Sequence, residues 1–352
     1  MTRLAGLALF FGVLLGCADT NALPPDPLEL FVVANSQSNS LTIAPVDQSE
    51  APMTLQLGSP RGSPLSIAAV DRFAIVTLGD IDQVAVVDLQ QRTVLHRIPL
   101  PAGSGATGAI MLNDSIGYVA NSRLNTITQV NALSGQTVEV VAGVTPQGFA
   151  FARGRLFVLN GNLDSTGEPL GASWLTVLNP ATNTPAPGID SVPLTGPGNA
   201  AFATVGGDGL VYILNRGRST FPEGRLSVVD PLERKEVASF AGLGLLPGQI
   251  ASDGGARVFV SSSSEGLLEF NTDSNAVVRG EGEGVPIPTN SGVAVDSEAR
   301  VYAIGSGTCE PGQPGIAHVL DEQLVGIRLM QLGRCAGFAL VVQIGVETDG
   351  GP

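Results

Sequence analysis

The chain has 352 residues, with 32 acidic against 18 basic side chains and a formal net charge of −14, which argues against nucleic acid or anionic lipid headgroups as partners. Apolar residues make up 43% and charged residues 14%, and 45 glycines and 24 prolines punctuate the sequence. That balance excludes a largely disordered chain and points to an all-β body of short strands joined by many turns.

Met1-Thr2-Arg3 precedes an apolar run from Leu4 to Leu15. A short basic start followed by such a run describes an export signal, too short to span a bilayer comfortably. The run ends in Leu14-Leu15-Gly16-Cys17, which resembles the bacterial lipobox. The resemblance implies removal of residues 1–16 and acylation of Cys17. The expected product is held to a membrane by its N-terminal lipid, in the bacterial cell envelope, facing the periplasm or the outside. Residues 17–29 form the lipidated cysteine and a tether in which Pro24, Pro25 and Pro27 favour an extended course.

Between residues 30 and 346 one phrase returns seven times. An apolar run ends at Asn35, Leu78, Asn121, Asn160, Asn215, Ser262 or Gly305, and a second ends at Asp47, Asp88, Asn131, Asn179, Asp230, Asn271 or Asp321. A strand-based repeat of about 40–50 residues predicts a β-propeller. A small-residue strand precedes six of these copies, at 63–70, 105–112, 146–152, 197–204, 247–252 and 290–295, and a further one at 335–342 follows the last. With a variable outer strand, each repeat supplies four strands. The first copy lacks its inner strand and the last inner strand lacks a partner. The expected solution is a seven-bladed ring of four-stranded blades in which the C-terminal strand completes the first blade and removes two open edges. Residues 347–352 are expected to form a disordered tail.

The second-strand boxes read Val32-Val33-Ala34-Asn35, Ile75-Val76-Thr77-Leu78, Tyr118-Val119-Ala120-Asn121, Phe157-Val158-Leu159-Asn160, Tyr212-Ile213-Leu214-Asn215, Phe259-Val260-Ser261-Ser262 and Tyr302-Ala303-Ile304-Gly305. They resemble the YVTN-type repeat family, named for a Tyr-Val-Thr-Asn box. That resemblance implies a seven-bladed propeller of an exported or surface protein and says little about function. Departures at Leu78, Ser262 and Gly305 suggest that blades 2, 6 and 7 are less regular. The repeated Asn and Asp residues read as turn chemistry, because their side chains cap turns and tolerate unusual dihedrals.

With Cys17 acylated, Cys309 and Cys335 remain, and outside the cytoplasm such a pair is expected to form a disulfide. Cys309 belongs to the loop between the second and third strands of the last blade, and Cys335 opens the closing strand. Topology puts both on one face at the seam. A catalytic set is hard to find. His96 falls in an outer strand and His318 in a third strand. No zinc-type cluster and no nucleophile elbow occurs. The run 280–284 lacks the features of a phosphate loop. Its Glu281 and Glu283 read as a solvated turn rather than a Ca²⁺ site. No cofactor is expected.

Loop length is a better guide. The loops at 161–173, 216–225 and 306–315 are long, and all should emerge on the face that also carries the linkers into the inner strands. Arg61, Arg123, Trp174, Arg216, Arg218 and Phe221 are the candidate ligand-binding residues there. Arginines on an acidic surface suit a carboxylate or sugar acid; they also suit pairing with Asp164, Glu168, Glu223 and Glu310 in the same loops. The expected function is a non-enzymatic, monomeric binding or scaffold module for an envelope protein, peptide or glycan. The alternative is a lactonase- or lyase-type propeller enzyme with its site at the channel mouth. Replacing Cys17→Ser is expected to abolish acylation. Mass spectrometry of the mature N-terminus checks this, and an unmodified start at another residue would contradict the lipobox reading.

Overall fold

The computed structural model describes residues 28–58 and 62–345. Cys17, residues 18–27, Arg61 and residues 346–352 lie outside the described residues. The chain forms seven antiparallel sheets in a ring. Blade 1 consists of Ala336–Ile344, Leu28–Asn35, Ser40–Pro45 and Met53–Gln56, from the ring centre outward, and blade 2 of Pro64–Val70, Phe73–Leu78, Gln83–Asp88 and Thr93–Pro99. Blades 3 to 7 repeat this order, starting from Ala106–Met111, Pro146–Ala152, Ala200–Val205, Ile250–Ser252 and Asn290–Val295. The expected architecture and closure are both present. The tether is shorter than expected: Leu28 and Glu29 pair with Ile344 and Gln343 and belong to the strand.

Each blade is covered on both faces by its neighbours. The second strands accordingly carry unbroken apolar runs and are almost wholly buried, as in Arg155–Asn160 and Val211–Asn215, whose runs end at an asparagine. Their tyrosines bury the ring and keep a partner for the hydroxyl. Tyr212 donates to Asp208 at 2.7 Å and Tyr302 to Asp296 at 3.0 Å. Burial and the adjacent carboxylate push both phenols well above their ordinary pKa.

The repeated Asp and Asn at the ends of third strands behave as turn chemistry in all seven blades. Asp47, Asp88, Asn131, Asn179, Asp230, Asn271 and Asp321 each accept a backbone N–H two or three residues further on. The asparagines of the second strands do something else. Asn35, Asn121, Asn160 and Asn215 are fully buried, and each Nδ2 donates across the sheet to a third-strand hydroxyl, on Thr42, Thr128, Thr176 and Ser227, at 2.8–3.0 Å. They fasten second strand to third rather than cap the turn between them.

Regularity does not follow the box. Blade 2 keeps four strands of six or seven residues despite Leu78, and blade 7 keeps strands of five or six despite Gly305. Blade 6 does have a short inner strand of three residues. Blade 4, whose box ends in Asn160, has the broken outer strand: Thr184–Pro185 and Ser191–Pro193 both pair with Trp174–Asn179. Pro185 and Pro187 supply no backbone donor, and Gly188 at φ 84° turns the chain away between them.

At the seam Ala336–Ile344 runs antiparallel to Leu28–Asn35, and Phe31 stacks on Tyr302 of blade 7 with ring centroids 4.4 Å apart. Asn35 Oδ1 accepts the Gly333 N–H at 3.0 Å, and Ser36 donates its N–H and hydroxyl to the Cys335 carbonyl. The Cys309–Cys335 disulfide staples the same place. Closing a loop of 26 residues contributes about 3 kcal/mol on a chain-entropy model. Deleting 336–344 bares the edge of Leu28–Asn35 and removes the inner strand of blade 1, whereas deleting 347–352 removes no described strand. The first truncation is expected to lose cooperative melting and the second to melt close to the full chain. Equal melting curves would refute closure by this strand.

Candidate functional site

The inner strands approach one another so closely that side chains are excluded at several points. A Cβ at Gly108 would lie 2.3 Å from the Gln147 carbonyl oxygen, one at Gly148 2.4 Å from that of Ala201, and one at Gly292 2.1 Å from that of Gly337. Six of the seven inner strands also carry a register shift against their second strand; Ile250–Ser252 is the exception. A bulge inserts an unpaired residue and re-aims its neighbours. Leu65, Thr107, Gln147, Ala201 and Phe338 fall within these shifts, and all line a cavity of about 320 Å³ on the ring axis.

The cavity wall is mostly apolar and includes the rings of Phe149, Phe202 and Phe338, of which Phe202 and Phe338 face each other at 6.4 Å. Gln249, on the linker into blade 6, closes one side. Its amide receives N–H groups of Ala339 at 2.9 Å and Val293 at 3.3 Å, and donates to the Ala339 carbonyl at 2.5 Å. It thereby ties three blades together across the axis. Arg216 is the one ionisable side chain of the lining. Its Nε donates to the Pro247 carbonyl at 2.9 Å, and its guanidinium lies 6.0 Å from the Phe202 ring centroid. Burial lowers its pKa below the ordinary arginine value; a guanidinium nevertheless stays cationic at neutral pH.

The long loops leave from the end of the ring at which the linkers enter the inner strands. Each of the three bonds to the linker that enters an inner strand, through Gly161 N–H to Thr145 O, Arg216 N–H to Asn199 O and Ser306 N–H to Thr289 O. Loop 161–173 is organised by Asp164, which accepts from the Thr166 hydroxyl at 2.6 Å and from the Thr166 and Glu168 N–H groups. Those bonds, the hydroxyl first, hold the Asp164 carboxyl below its usual pKa. Glu168 then accepts the Ser219 N–H at 3.2 Å, and its hydroxyl as well, fastening this loop to the next.

The structure scatters most of the sequence candidates. Arg216 reaches the cavity. Arg218 is exposed, pairs with Glu223 and lies over the Phe221 ring at 4.5 Å. Arg123 is exposed and lies over Gly105 on the linker into blade 3, and Trp174 is half-buried at the head of a third strand. Arg61 lies outside the described residues. Phe149, Phe202, Phe338, Gln147 and Gln249 escaped sequence reasoning. A signal existed for the two glutamines, as long polar residues beside Pro and Gly where the other inner strands are small.

His318 lies mid-strand opposite Ala303 and Leu329, and is not part of the cavity lining. Glu281 and Glu283 flank a turn whose Gly282 N–H donates to Glu265 at 2.8 Å. Among the described residues no group of three or more His, Cys, Asp or Glu side chains could hold a metal ion, and no helix is long and apolar enough to cross a membrane.

No family model matches the chain, and no curated protein does. Solved propellers share its fold. A streptogramin B lyase structure superposes with a TM-score of 0.60 at 12% identity, over 80% of this chain and 92% of the lyase. Kuenenia stuttgartiensis hydrazine synthase gives 0.59 at 12% identity, over 75% of this chain and 78% of that one. At such identity the likeness speaks to architecture alone.

Burial lowers the His318 pKa below 6.5. Its folded form therefore binds protons less readily than the unfolded chain, and the stability tied to this group falls as pH drops through the unfolded value and is restored above it. Imidazole proton NMR is expected to give a midpoint below 6.5; a midpoint above it would imply a charge partner.

Proposed function

We propose that the protein is a lipid-anchored β-propeller of the bacterial cell envelope, acting as a non-enzymatic binding or scaffold module for a protein, peptide or glycan. The working face is the one that carries the three long loops. The observation that supports binding over turnover is the cavity lining: aromatic rings, amides, hydroxyls and one guanidinium, with no carboxylate or imidazole to move a proton. The Cys309–Cys335 bond fits an oxidising compartment, as export through the Cys17 signal requires.

A lactonase- or lyase-type enzyme at the channel mouth is the competing reading, and the lyase among the structural neighbours is the reason to keep it in view. It needs an acid, a base or a metal-holding carboxylate near the axis, which that lining does not supply.

The test uses the lipidated protein, crosslinked and purified from its own envelope. Shortening 164–168 to a two-glycine turn, or replacing Glu168→Ala to remove its bonds to Ser219, is expected to leave melting nearly unchanged, because surface loops add little to the core. Partner capture should fall by roughly tenfold, equivalent to about 1.4 kcal/mol. Undiminished capture by both loop variants, with loss on substitution of the outer strand Lys235–Ala241, would show that the wrong surface has been chosen.

A further inference from the structure

We propose that the axial cavity binds the carboxylate of an apolar, preferentially aromatic, molecule, with Arg216 as its anion receptor. The inference rests on the binding reading of this face and narrows it to a ligand chemistry. Three observations carry it.

The first is the state of the Arg216 guanidinium. Pro247 takes Nε, and the Phe202 ring lies beside the group, so the head is fixed in place. Nη1 and Nη2 donate to no protein group among the described residues, and no described carboxylate pairs with this arginine; other arginines also lack a carboxylate, but Arg216 alone among them lines this cavity. The head is held by Pro247 while its Nη groups stay open to the cavity, so an incoming carboxylate meets charged donors already fixed in place. Two free Nη groups side by side match the two oxygens of a carboxylate in a bidentate pair.

The second is charge count. One cation in the lining neutralises one negative charge. A phosphate dianion would keep a surplus charge in a low-dielectric pocket of a protein whose net charge is already −14. A monocarboxylate leaves none.

The third is the wall. Phe149, Phe202, Phe338 and Leu65 share the lining with Arg216 and bury an aryl or alkyl body well. A volume of about 320 Å³ lies at the small end of ligand pockets, which favours a single ring or a short chain. Such a body ending in a carboxylate occurs as a free organic acid or as the C-terminal residue of a peptide.

The full chain is titrated, by ligand-observed NMR and calorimetry, with 3-phenylpropionate and with a short peptide ending in Phe-COOH. The matched controls are 3-phenylpropanol, acetate and the amidated peptide. The expected result is saturable binding of one or both carboxylates, at least tenfold weaker for every control. The better of the two identifies the source as a free acid or a chain end. Arg216→Gln, which can keep the bond to Pro247, should weaken the carboxylate by at least tenfold and leave 3-phenylpropanol unchanged. Leu65→Trp, at a half-exposed position that tolerates a larger side chain, should block carboxylate and alcohol alike by filling the cavity. It keeps the test open if the arginine variant fails to fold. Equal affinity for 3-phenylpropionate and 3-phenylpropanol, unchanged affinity in folded Arg216→Gln, or no binding of either carboxylate would overturn the proposal. Absent carboxylate binding with partner capture still lost in the loop variants would sink this inference alone. Carboxylate binding with capture undisturbed would instead remove the loops from the functional reading.

Discussion

The pairing of Ala336–Ile344 with Leu28–Asn35 is the contact on which the rest of the ring depends. Seven blades packed face to face bury both surfaces of every second strand only if the first blade also has a neighbour on each side. An open ring would leave two rows of unpaired backbone groups and an apolar face in water. The seam is correspondingly over-determined. It combines a strand ladder, the Phe31–Tyr302 stack, the Asn35–Gly333 bond and the disulfide, each acting on a different part of the same junction. Breaking one leaves three.

Closure also creates the cavity. Inner strands forced together to the distance at which Gly108, Gly148 and Gly292 touch the next backbone have no room for side chains at those points. The register shifts take up the mismatch between a converging ring and flat ladders, and the residues they displace point inward. The space on the axis is thus a by-product of ring geometry, and its chemistry is set by whichever residues the shifts happen to present. In this chain they are mostly apolar, and Arg216 enters from a loop above rather than from an inner strand.

The blades were legible because doubly buried strands read as unbroken apolar runs and because Asp or Asn marks each third-strand turn. The cysteine pair was legible because connectivity alone puts a second-to-third-strand loop beside the next inner strand. The second-strand asparagines were misread for a physical reason: an amide at a strand end gives the same sequence signal whether it caps a turn or bonds across the sheet. The split outer strand of blade 4 was hidden because the box motif reports on the second strand and not on the Pro185–Gly188 interruption two strands away. The cavity was the least legible element. Its residues come one or two from each blade, tens of positions apart, and a bulge reverses the inward–outward alternation from which facing is inferred. The arginines could be named from sequence, but only the fold separates Arg216, which lines the cavity, from Arg218, which stays exposed and pairs with Glu223 in the same loop.

The seam also imposes an order in time. Ser36 and Cys335, hydrogen-bonded in the finished ring, are 299 residues apart, so everything between them must emerge before blade 1 is whole. Until then the N-terminal blade is a three-stranded sheet with a bare edge, the condition in which nascent β-proteins aggregate or pair with the wrong chain. Cys309 and Cys335 stand only 26 positions apart, and the linker that carries Cys335 is held to the blade 7 loop by the Gly315 N–H to Gly333 O bond. The crosslink can therefore anchor the root of the closing strand locally, and leaves only its pairing with the distant N-terminal strand to be found.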